Sequence, residues 1–495
     1  MDPTPALSAR LARRDPSLWP EGNVSAGRLG WLDCPSEMRD HAAGLVEWSE
    51  EVRASTSLTV LFGMGGSSLA PEMLRATFGG PLRVLDTTHP RTVADALAEA
   101  EPAGLALVAS KSGTTIEPNA MLAAWRARVP SPARTAAVTD PGTVLDRLAT
   151  EQGFRAVFRN RPDVGGRYSA LSLFGLVPAA LLGLDPTVLL DFDEQDLAPG
   201  VELGRHLVAE HAARRDKVTF LCARPVATFG LWVEQLLAES TGKRGRGLVP
   251  VAGEPPGDLS AYGDDRTFVA VGCGDEDAPG AAALEAAGRP VLRQHLDSPW
   301  GLGELCFRWE VATAVVGHGL GVDPFDEPDV AAAKEATARL LDTWPGRPEP
   351  GAPPDELPRW LDRTVRPRDH VALCAFLPVD GAVDGALARL QGSLRDRFGV
   401  AVTRSFGPRY LHSTGQLHKG GPPTVVVVQL VAGPSAGHET DDDVAVPGHA
   451  YGFARLVAAQ ALGDLEILRS RGRRALRVDL GSDPLSALEA LATRP

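Results

Sequence analysis

Short apolar runs recur along the chain and alternate with longer stretches in which apolar residues have helical spacing. The runs predict two series of strands, at 58–62, 81–85, 104–110 and 135–138, and then at 218–222, 267–271 and 290–292. Strands that alternate with helices form βαβ units and parallel sheets. We therefore predict an α/β protein with two sheet-forming blocks, and the two blocks could be copies of one duplicated unit.

The rest of the pattern predicts an N-terminal arm, several long helices and a third αβ segment. Helices are expected near 35–54, 303–315, 328–341, 383–398 and 450–470, and the apolar stretch 170–184 is read as one buried helix. Further strands are expected at 371–377, 401–405, 425–431 and 475–479, with a polar loop at 433–443. The predicted division is an irregular arm with its helix (1–50), two α/β domains (51–190 and 191–344), a Pro- and Gly-rich linker (345–358) and a C-terminal αβ segment (359–495).

Composition and charge narrow the class of protein. Of 495 residues, 44% are hydrophobic, which is ample for packed cores. The 50 basic and 63 acidic residues give a net charge of −13, which argues against nucleic acid or an anionic membrane as the main partner. The five cysteines form no CxxC pair, so we expect no zinc site, no disulfide framework and a reducing cytoplasm. The first thirty residues lack a signal-peptide pattern, and the longest apolar stretch is too short to span a bilayer.

Lysine is scarce, and its few positions are informative. The chain contains only Lys111, Lys217, Lys243, Lys334 and Lys419, whereas arginine is abundant. Codon bias alone can exchange surface lysine for arginine. A site that needs a compact ammonium group would resist that exchange, and four of the five lysines lie in motifs described below.

The first motif is a glycine-rich turn, Gly-Met-Gly-Gly-Ser-Ser at 63–68, between a predicted strand and a predicted helix. Glycines let a phosphate approach backbone N–H groups, and a helix N-terminus favours an anion. Asp86 lies about twenty residues further on, at the end of a strand, which mimics a dinucleotide-binding pattern. Ser68 stands where that pattern has its last glycine. A phosphate site, a nucleotide site and a plain tight turn therefore remain open.

The second motif, Ser-Lys-Ser-Gly-Thr-Thr at 110–115, also follows a predicted strand. Four hydroxyl groups and one ammonium group at a single strand-to-helix turn can surround a phosphomonoester with hydrogen-bond donors. Hydroxyl clusters also serve as simple helix caps. A dinucleotide-binding fold does not need this second loop, so its presence favours a sugar phosphate as the ligand of the first motif.

Two further motifs carry groups suited to proton transfer. Gly-Gly-Arg at 165–167 brings the backbone close to a ligand and leaves Arg167 at a turn, where a guanidinium can stabilise an enediolate oxygen or simply be solvated. Gln235 and Glu239 are four residues apart on a predicted helix and share one face. Glu239 lies at the C-terminal end of that helix, where burial and the helix dipole would raise its pKa towards that of a useful base. An exposed glutamate is the alternative.

The fifth motif, Phe-Asp-Glu-Pro-Asp-Val at 325–330, precedes Lys334. Pro328 suits the first turn of a helix. Glu327 and Lys334 are seven residues apart and face the same side of that helix. The pair is either part of a site or a solvated ion pair on a surface helix.

Taken together, the order GMGGSSLAP, SKSGTT, GGRYS, ESTGK and FDEPDVAAAK across residues 60–335 resembles the phosphoglucose isomerase family. The resemblance implies two doubly wound parallel-sheet sandwiches of the sugar-isomerase (SIS) type, here followed by the C-terminal αβ segment. From 412 to 480, YLHSTGQLHKGG and GDLEILRSRGRRALRVDL resemble the isomerase half of transaldolase–isomerase fusions. The family also implies a homodimer with shared active sites.

The resemblance assigns roles residue by residue. The glycine-rich and hydroxyl loops would hold the phosphate, Arg167 would steady the enediolate, and Glu239, with Gln235 beside it, would carry a proton between sugar carbons 1 and 2. Lys334 would assist ring opening. The residues that would bind phosphate are Gly66, Ser67, Ser110, Lys111, Ser112 and Thr115.

The chain departs from the family in two places. Glu327 stands where the family has glutamine, and a carboxylate beside an anionic substrate should repel it unless Lys334 or an arginine neutralises it. The ring-opening histidine of the family normally lies between the ESTGK-like and FDEPDV-like motifs, where only His295 and His318 occur, in contexts that do not match. His412 and His418 follow Lys334 in a loop that either reaches an active site or is structural. We carry both histidines forward as candidates for ring opening.

The function expected from the sequence is reversible isomerisation of glucose 6-phosphate to fructose 6-phosphate by acid–base chemistry through a cis-enediolate, with no metal or other cofactor. A non-catalytic phosphosugar sensor on the same fold is the main alternative, and a nicotinamide-dependent oxidoreductase rests on the glycine-rich turn alone. Mannose 6-phosphate remains open as a second substrate.

Overall fold

A computed structural model describes residues 2–20, 24–344, 349–438, 440 and 443–493. Within these ranges thirteen strands form three separate sheets in which all paired strands are parallel. The α-helices are α1 (Thr4–Ala12), α2 (Cys34–Ser55), α3 (Leu69–Phe78), α4 (Pro90–Ala100), α5 (Ile116–Arg128), α6 (Val144–Glu151), α7 (Leu173–Leu181), α8 (Pro186–Leu189), α9 (Ala198–Ala212), α10 (Phe229–Thr241), α11 (Ala281–Ala286), α12 (Leu302–Leu320), α13 (Pro328–Asp342), α14 (Glu356–Thr364), α15 (Gly381–Phe398), α16 (Gly415–Gly420), α17 (Phe453–Ser470) and α18 (Pro484–Thr493).

The first sheet has the strand order β2-β1-β3-β4-β5. Its strands are β1 (Leu58–Phe62), β2 (Leu82–Leu85), β3 (Gly104–Ala109), β4 (Thr135–Thr139) and β5 (Ala156–Arg159). The order reverses between β1 and β3, and in doubly wound sheets ligands bind at the carboxyl ends of the strands at such a switch point. The glycine-rich loop follows β1 and the hydroxyl loop follows β3. The topology therefore places both predicted phosphate loops at the switch point.

The second and third sheets share one arrangement, with orders β7-β6-β8-β9 and β11-β10-β12-β13. Their strands are β6 (Lys217–Cys222), β7 (Val249–Val251), β8 (Arg266–Cys273), β9 (Val291–Leu296), β10 (His370–Phe376), β11 (Ala401–Phe406), β12 (Val425–Val431) and β13 (Arg474–Asp479). The predicted α/β class with parallel sheets is confirmed. The C-terminal segment proves to hold a doubly wound sheet of its own.

Two strands escaped the sequence pattern because they are short edge strands. β5 is only partly buried, and β7 has three residues with Pro250 at its centre. Both lie at sheet edges, where proline is tolerated and an apolar run is not needed. Residues 170–184 contain the buried helix α7, although Pro178 lies within it.

The N-terminal arm is less irregular than predicted. Helix α1 lies within it, with Leu7 and Leu11 buried one turn apart, a spacing that the sequence analysis overlooked. Further on, the indole of Trp19 donates a hydrogen bond to the carbonyl of Ala314 in α12 (3.0 Å). The arm is thus packed onto the body of the protein, while residues 21–23 lie outside the described ranges.

The C-terminal segment completes the core of the first sheet. One face of that sheet packs with Val446, Phe453 and Leu456, the last two from α17, in a cluster that also contains Trp125. Residues 345–348 of the predicted linker and 439, 441 and 442 of the predicted polar loop lie outside the described ranges. Further along the linker, the backbone of Ala352 pairs with the edge of β13. None of the described helices combines the length and apolar character needed to cross a membrane.

Candidate active site

A cleft of about 560 Å³ opens at the switch point of the first sheet, between that sheet, α10, α13 and the turn 409–412. Twelve of the thirteen predicted site residues line it. They are Gly66, Ser67, Ser110, Lys111, Ser112, Thr115, Arg167, Gln235, Glu239, Glu327, Lys334 and His412. The five sequence motifs are thus brought to one cavity, large enough for a small ligand.

The glycine-rich loop and the arginine turn are in close backbone contact. A Cβ atom on Gly66 would overlap the carbonyl oxygen of Gly166. Gly65 has a φ of +56°, and a Cβ there would lie 2.6 Å from the carbonyl oxygen of His412. Only glycine permits this approach without strain. The two glycines therefore join the loop after β1 to the turn that carries Arg167 and to the loop that carries His412.

The hydroxyl loop after β3 presents short polar side chains to the cleft. The hydroxyl groups of Ser110 and Thr115 lie 3.3 Å apart, and those of Ser112 and Thr114 lie 2.9 Å apart. Thr115 is the N-cap residue of α5, so backbone N–H groups of a 13-residue helix begin beside it. This arrangement can surround an anionic oxygen with donors.

The ammonium group of Lys111 is already engaged. It forms an ion pair with Asp140 and donates to the carbonyl of Pro162 (2.9 Å). Burial lowers the pKa of Lys111, and Asp140 opposes that effect. Arg28, from the N-terminal arm, also lines the cleft and donates to the same carbonyl (3.0 Å). Two cations thus stand beside the hydroxyl loop, and an arriving phosphate would compete with Asp140 for one of them.

Glu239 is buried at the end of α10. Its Oε2 accepts a hydrogen bond from the amide of Gln235 (3.1 Å), one turn earlier on the same face. Burial raises the pKa of Glu239, the guanidinium of Arg167 opposes that rise, and the nearby Glu327 adds to it. The net result is a carboxylate more basic than an exposed glutamate, as a general base requires.

Arg167 connects Glu239 with the fifth motif. Its Nη1 lies 3.2 Å from Glu239 and 3.0 Å from Glu327. Its Nε donates to the hydroxyl of Ser240 (3.0 Å), and its Nη2 donates to the carbonyl of Pro324 (2.9 Å). The guanidinium is buried and held on every side. The carboxylate that departs from the family pattern, Glu327, is therefore neutralised by an arginine.

Lys334 reaches the cleft from α13. Among the described residues, Lys334 has no hydrogen bond or ion pair. The other four lysines each pair with an acid: Lys111, Lys217, Lys243 and Lys419. Lys334 lines both the main cleft and a cavity of about 230 Å³ that adjoins it. Its positive charge is available to a ligand.

His412 enters the cleft from a turn of the third αβ segment and meets an acid that the sequence analysis missed. Its Nε2 lies 2.8 Å from Oε1 of Glu117. Burial raises the pKa of Glu117, but His412, a backbone hydrogen bond and the charge of Lys334 together outweigh that effect, and the pKa falls below its ordinary value. Because an ionised carboxylate only accepts hydrogen bonds, Nε2 is the donor in the neutral ring. This leaves Nδ1 as the atom that can accept a proton.

The structure does not bring His418 to the cleft. The ring lies in the interior of the third segment, 5.9 Å from the ring of Tyr410 and 6.5 Å from that of His370. Its Nδ1 faces the thiol of Cys374 at 3.9 Å. Burial lowers the pKa of His418 to about 3. His412 lies before the short helix α16 and His418 lies within it, so the chain turns between them and the two rings point in different directions.

Other missed residues had weak signals or none. Glu117 follows the hydroxyl loop in the first turn of a helix, where an acid most often serves as a cap. Arg28 lies in an arm without any motif, and Asp140 lies in an ordinary turn after β4. Within the described ranges no group of three His, Cys, Asp or Glu side chains is arranged as metal ligands would be.

Asp86, which made the glycine-rich turn look like a dinucleotide site, has another partner. It forms a two-point ion pair with Arg409 (2.7 and 2.8 Å) and is buried. Its oxygens are therefore occupied rather than free for a ribose. The first sheet also places β1 between β2 and β3, whereas the dinucleotide-binding order places β2 between β1 and β3.

No protein-family model matches the chain. The chain is 30% identical over 392 residues to the glucose-6-phosphate isomerase of Rubrobacter xylanophilus, which covers 64% of this chain and 89% of that protein. It is 29% identical over 390 residues to the glucose-6-phosphate isomerase of Heliobacterium modesticaldum, covering 63% and 87%.

Solved structures share the fold. A hypothetical protein from Thermus thermophilus superposes with a TM-score of 0.57 at 24% identity, covering 68% of this chain and 94% of that one. A glucose-6-phosphate isomerase from Chlamydia trachomatis superposes with a TM-score of 0.50 at 19% identity, covering 72% and 81%. The identity to the curated relatives, over most of their length, decides the relationship. This chain belongs to the glucose-6-phosphate isomerase family.

Proposed function

We propose that the protein interconverts glucose 6-phosphate and fructose 6-phosphate at the cleft of the first sheet. The observation that carries the proposal is the pair formed by Glu239 and Arg167, 3.2 Å apart and buried beside the hydroxyl loop. One cavity thereby offers a base, a fixed positive charge and an anion-binding turn. These are the three requirements for moving a proton between adjacent carbons of a sugar phosphate.

The phosphate group binds at the loops after β1 and β3. Ser110, Ser112 and Thr115 offer hydroxyl donors, and Gly66 and Ser67 offer backbone N–H groups across the cleft. A dianionic phosphate is far stronger as an acceptor than a neutral oxygen. Its arrival loosens the ion pair of the hydroxyl-loop lysine with its aspartate, so that the ammonium group turns towards the phosphate.

His412 opens the sugar ring. The ionised Glu117 holds Nε2–H of the ring, and Nδ1 takes the hydroxyl proton at carbon 1 as the carbonyl forms there and the bond from carbon 1 to the ring oxygen breaks. The ring oxygen takes up a proton from the imidazolium as it leaves, and a neighbouring cation stabilises its developing negative charge. Lys334 is placed for that task, because it is unpaired among the described residues and lines the same cavity as His412. An imidazole is suited to this exchange near neutral pH.

Glu239 then removes the proton from carbon 2 of the open aldose and returns it to carbon 1. When Glu239 takes the proton, its charge disappears from the neighbourhood of Arg167. At the same moment negative charge develops on the enediolate, first on the oxygen at carbon 1. The hydroxyl proton at carbon 2 then passes to that oxygen, so that the carbonyl forms at carbon 2 as Glu239 returns its proton to carbon 1. The guanidinium therefore stabilises first one anion and then the other without moving, and this preorganised stabilisation lowers the barrier.

The cleft also bears on the alternatives. A sensor of sugar phosphates needs the hydroxyl loop but gains nothing from a buried base, a buried arginine and a polarised histidine. Charge balance for the enediolate is available from Arg167 and Lys334, which supports a reaction without a metal. The resemblance implies a homodimer, and we retain that as a prediction, although the groups invoked here all come from a single chain.

The test is a coupled assay of the purified protein with glucose 6-phosphate and, separately, mannose 6-phosphate, each with and without EDTA. We expect turnover of glucose 6-phosphate that chelation does not change. Loss of activity with EDTA that zinc or manganese restores would contradict the metal-free mechanism. Saturable binding of the sugar phosphate without any turnover would favour the sensor.

A further inference from the structure

Helix α17 of the third segment approaches the cleft with two buried polar side chains. Gln460 and Asp464 are four residues apart, so they lie on the same face of the helix, and both are buried among apolar neighbours. Buried polar side chains are costly unless they are fully hydrogen-bonded. The hydrogen-bond partners of Gln460 and Asp464 therefore show what the two side chains hold in place. These partners are Glu117 and the residues of the loop that carries His412.

Gln460 holds the carboxylate that holds His412. Its Nε2 donates to Oε1 of Glu117 at 2.7 Å, and its Oε1 accepts a hydrogen bond from the hydroxyl of Thr88 at 2.5 Å. Glu117 receives the imidazole on the same oxygen at 2.8 Å. The carboxylate only accepts hydrogen bonds, so the amide must present its NH₂ group to Glu117. Glu117 is thus fixed between a side chain of α17 and the catalytic ring.

Asp464 holds the loop that carries the ring. One of its oxygens accepts from the hydroxyl of Tyr410 at 2.6 Å, and the other lies 2.5 Å from the ammonium group of Lys419. Tyr410 precedes His412 by two residues, and Lys419 follows it by seven. The side chains of Lys419 and Asp464 are almost completely excluded from solvent. A single carboxylate therefore clamps both sides of the histidine loop.

The same helix lies against the helix that carries Lys334. A Cβ on Gly463 would sit 3.1 Å from the backbone nitrogen of Thr337 in α13, so the two helices pack closely at a glycine. Helix α17 consequently contacts Glu117 itself, the loop that carries His412 and the helix that carries Lys334.

We propose that α17 positions the ring-opening pair, with Gln460 orienting Glu117 and Asp464 fixing the loop of His412. This inference rests on the proposed function and assigns the third αβ segment a part in it. Gln460 and Asp464 are positioning residues, since they act through Glu117 and the loop rather than on the sugar. The third segment is then a working part of the active site and not an appended domain.

Removal of the amide should have a distinctive effect on the pH dependence. The charged groups that face Glu117 are His412 from the loop and Lys334 from α13, while Gln460 adds a neutral donor from α17. Loss of a donor to an ionised carboxylate favours its protonated form. Protonated Glu117 no longer polarises His412. The acid limb of the kcat profile should therefore move to higher pH.

The experiment compares Gln460→Met with the wild type. Methionine keeps the length of the side chain but removes the donor. We expect kcat for glucose 6-phosphate at pH 7 to fall about tenfold, KM to stay within about twofold because the phosphate loops are untouched, and the acid limb to rise by roughly one pH unit. Exchange of the carbon-2 hydrogen of a four-carbon aldose phosphate, which cannot close a ring, should be spared because Glu239 performs it.

Two further variants separate positioning from stability. Tyr410→Phe removes one bond to Asp464 without leaving a buried charge unpaired, and we expect kcat to fall about threefold with KM unchanged. Glu466→Gln is the matched control on α17, since its exposed carboxylate pairs only with the exposed Arg339 among the described residues, and it should behave as the wild type. A Gln460→Met protein with wild-type kcat and acid limb would overturn the proposal.

A second measurement does not depend on activity. In protein with ¹⁵N-labelled histidine, the signals of the His412 ring, identified by their loss in His412→Ala, should shift in Gln460→Met and remain unchanged in Glu466→Gln. If the wild type fails to isomerise the sugar but these signals shift, the proposed function is wrong and the positioning stands. Signals that do not respond to Gln460→Met refute the positioning whatever the activity.

Discussion

The two walls of the cleft are built in different ways. The phosphate wall consists of two turns, 63–68 and 110–115, that follow neighbouring strands of one sheet, and its groups are hydroxyls and backbone N–H groups near the surface. The opposite wall consists of charged groups from α10, α13, the arginine turn and the histidine loop. The buried Arg167 pairs with the buried Glu239 and with the more exposed Glu327. His412 pairs with the buried Glu117, and Lys334 is unpaired among the described residues. In the proposed function, the first wall binds the phosphate and the second wall moves protons.

The difference shows how each task limits the architecture. A phosphate needs several short donors in a small space, which one strand-to-helix turn can supply. Proton transfer needs groups whose pKa values have been shifted, and such shifts arise from burial beside charges that local sequence cannot provide. We therefore expect changes in the first wall to alter KM and changes in the second to alter kcat.

The largest effect should come from Glu239→Gln. The amide preserves size and hydrogen bonding to Gln235 but cannot accept the proton, so kcat should fall about 10²–10⁴-fold while KM changes little. Incorporation of solvent deuterium at carbon 2 should disappear with it. A matched control is Glu234→Gln on the same helix, because Glu234 is also buried with its pKa raised, to about 8, but does not line the cleft. Deuterium exchange at the wild-type rate in Glu239→Gln would assign the base elsewhere.

The next test divides the two histidines of the same loop. We expect His412→Ala to lower kcat for the cyclic substrate about 10–100-fold, because the ring-opening base is lost. His418→Leu should keep kcat within about twofold, a change of only ~0.4 kcal/mol, and instead lower the melting temperature by disturbing the packing against Tyr410. Equal loss of kcat in both variants would mean that the loop acts through its fold alone.

The phosphate wall is tested by Ser112→Ala together with Thr115→Ala. These hydroxyls bind the phosphate equally in the ground state and the transition state, so KM should rise about tenfold with kcat nearly unchanged. The control pair is Ser131→Ala with Thr187→Ala, which are exposed hydroxyls outside the cleft. A fall in kcat without a change in KM would contradict the expectation that the first wall affects binding and the second affects turnover.

The smallest effect concerns Glu327. This carboxylate shares Arg167 with Glu239 and raises the pKa of that base. Activity is lost as pH falls through the pKa of Glu239, because only the ionised form accepts the proton. Glu327→Gln removes the like charge, so the acid limb of kcat should move to lower pH by roughly one unit, with kcat at pH 8 almost unchanged. If the acid limb of the kcat profile stays at the same pH in Glu327→Gln, Glu327 does not influence the pKa of the base.

Local pattern predicted the strands and turns that form the phosphate wall, whereas its binding of phosphate stays a prediction. Strands β1 and β3, with the loops that follow them, can be read directly from apolar runs that end in glycine and hydroxyl residues. The parallel topology then brings those loops together. Arg167 and Glu239 could be proposed from their motifs, but their shared dependence on Glu327 could not, since it arises from a salt bridge between residues 160 positions apart.

The second wall required the three-dimensional structure. Glu117 and His412 are 295 positions apart, so their contact could not be read from local sequence. The sequence offered His418 as an equal candidate, because spacing alone does not tell which way each ring of a short loop points. The division of the chain at 190 and 344 stays a prediction. The sheets separate near those positions, yet the core beneath the first sheet includes residues of α17.

That shared core has a consequence for synthesis of the chain. The apolar face formed by Trp125 and its neighbours on the first sheet is covered only when Phe453 and Leu456 pack on it. Roughly 330 residues separate Trp125 from Leu456, and at about 5–20 residues per second the ribosome needs some 15–65 s to add them. During that interval the nascent chain displays an open hydrophobic surface. We expect nascent chains stalled before residue 450 to bind holdase chaperones strongly, and those extended beyond α17 to be released.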